Sequence, residues 1–236
     1  MRWVVGVDGC RGGWLAIALA IDAAQVVDGQ VLLAERFGHL LEQFGDAEAI
    51  AVDMPIGLWD DGRARPRPCD IVARARLGKR ASTVFIPPTC AMLSASSYAH
   101  VRALGLSVQA YNLIPRICEL DSLLTPELQV QVWEAHPELS FYGMLGMPIA
   151  HPKRTPEGKL ARRIALRQVF GSSAPALESW LDASCKGFVR AVVSEDDVLD
   201  AFALAWSAWR HLRGESEVCI GEPARDSRGL LMAIRY

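Results

Sequence analysis

No long apolar stretch exists in this sequence. The longest uninterrupted run, Trp14 to Ile21, covers eight residues and stops at Asp22, well short of the roughly 20 that a membrane-spanning helix needs. No membrane crossing is expected. The opening Met-Arg-Trp, with Asp8 close behind, also lacks the apolar core of a secretory signal, so the expected location is cytoplasmic. Six cysteines (Cys10, Cys69, Cys90, Cys118, Cys185, Cys219) are scattered without a Cys-x-x-Cys pair. That argues against a zinc ribbon, a redox dithiol and a dense disulfide framework, and leaves reduced, mostly buried thiols. Neither Gly-x-Ser-x-Gly nor His-Glu-x-x-His occurs, so serine-hydrolase and zinc-protease readings lack their carriers. The five histidines do not cluster, His136 before Pro137 being the most site-like. Internal repeats and low-complexity tracts are missing too.

What the chain does contain is a core. Its 236 residues are 51% hydrophobic and 22% charged, far from the composition that keeps a chain disordered. A net charge of −2 conceals strong polarity: Arg63 to Arg80 carries +6 and His151 to Arg167 carries +5, leaving −13 on the remainder. Two basic segments suit the grip of an anionic ligand. Solvated helix faces account for such runs equally well, and Lys159 to Arg167 reads as an ordinary amphipathic helix.

Trp3 to Val7, a glycine turn at Gly9, Gly12 and Gly13, and Trp14 to Ile21 predict strand, turn and strand. Gln30 to Ala34 predicts a third strand, Arg36 to Phe44 a helix closed near Gly45, and Ala49 to Val52 a buried fourth strand before Pro55. Residues 59–128 change character and read as an insertion packed on a single domain spanning 1–236, with helical patterns at Asp70 to Leu77 and Ser96 to Leu120. A strand is expected at Val130 to Trp133, helices at Pro156 to Phe170, Ala174 to Lys186 and Ser194 to Leu212, and weaker strand pairing at Glu217 to Ile220 and Leu230 to Ile234. Early antiparallel strands followed by strand–helix alternation make an α/β fold with a mixed sheet covered on both faces.

Two strands finish in aspartate, Val4-Val5-Gly6-Val7-Asp8 and Ala49-Ile50-Ala51-Val52-Asp53. If they are parallel neighbours, both carboxylates emerge at one sheet edge and repel, so a proton or a cation must join them. A hard divalent ion held by oxygens, Mg²⁺ or Mn²⁺, is the natural answer. A late helix adds Asp197 and Asp200, which share a face at i and i+3. Asp197 also reads as a capping-box residue behind Ser194. Asp200 lies deeper, among alanines and aromatics, where an unpaired carboxylate costs several kcal/mol. Glu134, at the end of the fifth strand, is a further candidate ligand or base. Each acid taken singly also reads as a local turn or cap residue.

The segments GVDGCRGGW, VDMPIGL, RPCDIVARARLGKRASTVF, WEAHPELSF and DDVLDAFALAW follow one another from residue 6 to 206. In that order they resemble domain-of-unknown-function family 429, described as predicted nucleases of the ribonuclease H-like fold. DDVLDAFALAW also resembles the last helix of RuvC-type Holliday-junction resolvases. The resemblance implies a three-layer fold with a helical insertion after the fourth strand. It further implies Asp8, Asp53, Asp197 and Asp200 as metal ligands and catalytic acids, with Glu134 a possible fifth, and two Mg²⁺ or Mn²⁺ ions cleaving phosphodiester bonds of nucleic acid. Resolvase-like domains often work as homodimers. Arg74, Arg80, Ser82, Thr83 and Lys153 are candidates for gripping phosphate oxygens. Pro55 and the long basic insertion depart from the resolvase pattern and put the groove itself in doubt. Two other classes stay open: a nucleotide-binding phosphotransferase or ATPase of the actin and sugar-kinase type, using Gly9, Gly12 and Gly13 for phosphates, and a non-catalytic nucleic-acid-binding or interaction domain.

Overall fold

Apolar residues on both faces of the early segments build three long strands: β1 (Arg2–Cys10), β2 (Gly13–Asp22) and β3 (Gln25–Ala34), each antiparallel to the next. They are seen in a computed structural model that describes residues 1–236 except 24, 172 and 173, with only the backbone of residues 174–178. The short strands β4 (Ala49–Val52) and β5 (Val132–Glu134) join in parallel, giving the order β3-β2-β1-β4-β5. Strands β4 and β5, buried throughout, require cover on both faces.

That cover comes from two helical layers. Val4, Leu15, Ile17, Leu19, Ala49 and Ala51 pack under the long helix α8 (Glu195–Leu212), which is flanked by α5 (Pro137–Leu145), α6 (Pro156–Phe170) and α7 (Ala174–Gly187). On the opposite face Val5, Val7, Trp14, Ile50 and Val52 meet Phe37, Leu40 and Phe44 of α1 (Phe37–Phe44) and Ile117 and Leu120 of α4 (Val108–Leu123). This is a three-layer α/β architecture with a mixed central sheet.

Between β4 and β5 run α2 (Pro68–Leu77), two 3₁₀ turns at Gly78–Thr83 and Cys90–Ser94, α3 (Tyr98–Arg102) and α4. The helix expected over Ser96 to Leu120 is thus two helices. Gly105, at φ +88, breaks it, and the hydroxyl of Ser107 restarts it by accepting from the Ala110 N–H at 3.1 Å. The fifth strand begins at Val132 because Leu128–Val130 winds into a 3₁₀ turn. β6 (Val218–Cys219) and β7 (Ile234–Arg235) realise the late pairing as a two-stranded ribbon. Helix α5 has no counterpart in the sequence reading, because Pro137 to Phe141 are all buried and leave no polar face to reveal a period. All six cysteines are free, with Cys10, Cys69 and Cys219 buried and the others half-buried. Among the described residues no helix is long and apolar enough to cross a membrane.

Candidate functional site

Register brings the first two acids together. Val7 and Val52 are partners in the parallel pair β1–β4, and the Asp53 N–H donates to the Val7 carbonyl at 3.0 Å. Asp8 and Asp53 are the next residues along, on the same face, about one strand spacing (~4.8 Å) apart. Gly6 then decides how closely α8 lies on that face. A Cβ there would fall 2.1 Å from the Ala205 nitrogen and 2.2 Å from the Ala201 oxygen, so only glycine opposite alanines permits this approach. Because Ala201 and Ala205 lie over Gly6, the start of α8, with Asp197 and Asp200, overhangs the ends of β1 and β4. Asp8, Asp53, Asp197 and Asp200 accordingly line one cavity of about 460 Å³, together with His136 and Lys153.

Electrostatically the corner is overloaded with negative charge. Burial, then the neighbouring Asp53 and Asp200, hold the Asp8 carboxyl well above the usual range. Burial likewise raises Asp53, against the pull of His136 and Lys153. Asp200 is pushed up to about 6 by burial, opposed by Lys153, whose Nζ lies 2.6 Å from its Oδ2. Burial alone would lower the Lys153 ammonium, but Asp200, Asp8 and Asp53 outweigh it and hold it above the ordinary lysine value. Asp197 closes a capping box, its Oδ2 accepting from the Ser194 N–H at 2.7 Å, and lines the cavity as well.

The donor set is chemically right for a hard divalent ion. Asp8 and Asp53 make no side-chain hydrogen bond or ion pair among the described residues, which leaves their oxygens open to a ligand. Among those residues, however, no three Asp, Glu, His or Cys side chains converge tightly enough to form a ready-made cation site. The cation actually present is the Lys153 ammonium on Asp200.

Other expected residues separate into two groups. Arg80, Ser82, Thr83 and Lys153 do reach the cavity wall. Arg80 pairs with Glu138 at 3.0 Å, and the Thr83 hydroxyl donates to the Arg80 carbonyl at 2.8 Å. Glu134 belongs elsewhere. Its Oε1 and Oε2 accept from both terminal nitrogens of Arg67, at 2.6 and 2.7 Å, and Oε2 also accepts from the Ile56 N–H at 2.7 Å. Arg67, itself buried, also pairs with Asp70 at 2.7 Å, so both Glu134 oxygens are engaged in a buried ion-pair network, and Glu134 does not line the cavity that holds the four aspartates. Arg74 donates to the Val84 carbonyl at 2.5 Å, tying α2 to the chain beyond the 3₁₀ turn, and does not line the cavity.

Sequence reasoning misses Glu138, which lines the cavity and pairs with Arg80 and with the buried Arg162. The signal is faint: Glu138 sits in the first turn of α5, which shows no period, and Arg162 within an apparently ordinary amphipathic helix. The His136 Nε2 lies 3.2 Å from the Thr83 carbonyl, fixing this histidine between α5 and the 3₁₀ turn.

A family model described as "Protein of unknown function (DUF429)" matches residues 6–225. No curated protein matches the chain in sequence. Among solved structures, Thermus thermophilus RuvC is similar at 14% identity, covering 91% of this chain and 98% of its own, with a TM-score of 0.34. T. thermophilus RuvC in complex with a Holliday junction substrate is similar at the same identity and coverage, with a TM-score of 0.33.

Proposed function

The chain belongs to family DUF429, whose function is unknown, and we propose that this member is a nuclease that hydrolyses phosphodiester bonds with Mg²⁺ or Mn²⁺. One observation carries the reading: a buried carboxylate, Asp8, and a half-buried one, Asp53, make no ion pair among the described residues on a cavity that Asp197 and Asp200 also line. Buried like charges of this kind cost stability unless a cation joins them. In the proposal Asp8 and Asp53 hold the ion, and Asp200 or Asp197 completes its oxygen shell. When bound, such an ion supplies a nucleophilic water near neutral pH and neutralises charge on the phosphoryl group. Arg80, Ser82, Thr83 and Lys153 bind phosphate oxygens at the cavity wall, Arg80 being oriented by Glu138. The burial of Asp8 and the packing of Gly6 under α8 keep these acids from moving apart.

The test incubates the purified chain with single-stranded, duplex and branched DNA and RNA, and with ATP, in Mg²⁺, Mn²⁺ or EDTA, beside Asp8→Asn. Metal-dependent cleavage lost in the variant is expected, together with a Mn²⁺-induced rise in Tm of the wild type that Asp8→Asn abolishes. Cleavage surviving Asp8→Asn or EDTA refutes the assignment. Turnover of ATP with nucleic acid left intact moves the activity to nucleotide phosphotransfer instead.

A further inference from the structure

Beside the acidic cavity lies a second, larger cleft of about 600 Å³, sharing Gly9, Lys153, Arg154 and Asp197 with it. Four arginines from four separate parts of the chain face this cleft: Arg11 from the β1–β2 turn, Arg116 from α4, Arg154 from the loop before α6 and Arg190 from the loop after α7. Arg11, Arg154 and Arg190 are exposed and have no acidic partner among the described residues. Arg116 donates through Nη2 to the Cys10 carbonyl, while its Nε is buried without a partner among those residues. Its Cδ lies 3.0 Å from where a Cβ on Gly9 would stand, so the glycine after Asp8 is what lets this arginine cross the junction of the two cavities. Of the two acids on the cleft, Asp197 is engaged in its capping box, and Asp196 lies 3.9 Å from the Lys159 ammonium with no hydrogen bond to its Oδ1 among the described residues. Uncompensated arginines around one concavity repel one another and attract a polyanion. Among the described residues no aromatic ring lines the cleft, which removes the stacking platform on which bases are usually held.

We propose that this arginine cleft is the track along which a nucleic acid strand reaches the acidic corner, gripped through successive phosphates and without regard to base sequence. The inference rests on the proposed nuclease reading only for what happens at the end of the track.

Binding of a fluorescently labelled single strand, followed by anisotropy in EDTA, tests it apart from catalysis. Four phosphate contacts predict a log–log salt slope of about −2.8, an affinity loss of about fifty-fold between about 50 and 200 mM salt. Arg11→Gln with Arg190→Gln halves the slope to about −1.4 and cuts the loss to about seven-fold, with an unchanged melting curve because both side chains are exposed. Strands of different sequence bind equally, and ATP competes poorly. An unaltered slope in the double variant overturns the track, as does a mononucleotide binding as tightly as the strand, or a strong sequence preference. Arginine-dependent binding with no cleavage in any metal leaves the track standing and removes the nuclease activity. Cleavage that persists at full rate with the unaltered slope does the reverse.

Discussion

Substituting Gly6 by alanine puts the seating of α8 to a direct test. The added Cβ would stand 2.1 Å from the Ala205 nitrogen, 2.2 Å from the Ala201 oxygen and 2.7 Å from the Leu204 carbonyl carbon. These are backbone atoms, so no side-chain rotation relieves the clash and the helix must retreat by more than about 1 Å to reach ordinary contact distances of about 3.5 Å. Overpacking of this kind costs about 1–3 kcal/mol. The upper end applies here, because Val198 to Trp206 are buried along the same helix and lose contacts together. At about 2–4 °C per kcal/mol for a chain of this size, a loss of about 3 kcal/mol lowers Tm by about 6–12 °C. The same retreat draws Asp197 and Asp200 away from Asp8 and Asp53. A misplacement of about 1 Å can cost a catalytic arrangement about a hundred-fold. The assay pairs differential scanning calorimetry with metal-dependent cleavage. Gly38→Ala is the control: Gly38 lies in α1 with nothing within 4 Å of where its Cβ would stand, and the change should gain up to about 1 kcal/mol of helix propensity. A Gly6→Ala protein melting within about 2 °C of the wild type would refute the view that this glycine sets the helix height.

Two further outcomes follow from the charges. Asp8→Asn should raise Tm in EDTA near pH 7.5, because burial and its acidic neighbours hold the wild-type carboxyl far above 3.8. A carboxyl whose folded pKa is raised favours the fold below its unfolded pKa and loses that contribution as pH climbs through the folded value. The gain from the variant therefore grows from about pH 5 upward, and a gain that is the same at every pH contradicts the repulsion. Arg67→Met should cost about 3–5 kcal/mol in urea denaturation, since it leaves Glu134 and Asp70 buried without their cation; a loss below about 1 kcal/mol would mean that the lock carries little stability.

The legible parts of this protein are those whose meaning is local. Asp8 and Asp53 announce themselves because each ends a buried apolar run, and the sheet order then follows from the pairing of runs with glycine turns and helices. Asp200 is legible as a lone carboxylate among alanines, and its partner Lys153 is a candidate from the sequence too, although for phosphate and not for this acid. Glu134 is harder to read, because a strand-end acid looks the same whether it meets a cation in a cavity or an arginine 67 positions away, as here. Arg74 and Arg80 lie in one basic run, yet only the second reaches the cavity; the difference is set by the 3₁₀ turn in which Arg80 sits, which no periodicity reveals. Three of the four cleft arginines, Arg11, Arg116 and Arg190, fall outside both basic segments of the sequence. Their joint field exists only once β1, α4 and the loop after α7 are folded together.

A chain selected only for stability would not be built this way. Asp8 and Asp53 make no ion pair among the described residues on a cavity whose neighbour is walled by four arginines, and of the two cations that line both cavities, Lys153 and Arg154, only Lys153 pairs with an acid there. Elsewhere the same molecule pairs buried charges, as Arg67 with Glu134 and Asp70, and Arg162 with Glu138. Leaving both signs of charge open on joined cavities costs free energy in the empty protein. A ligand that carries both signs recovers it: a chain of phosphates for the arginines, and a divalent cation for the aspartates. In the proposed nuclease both unmet charges are met in a single bound state.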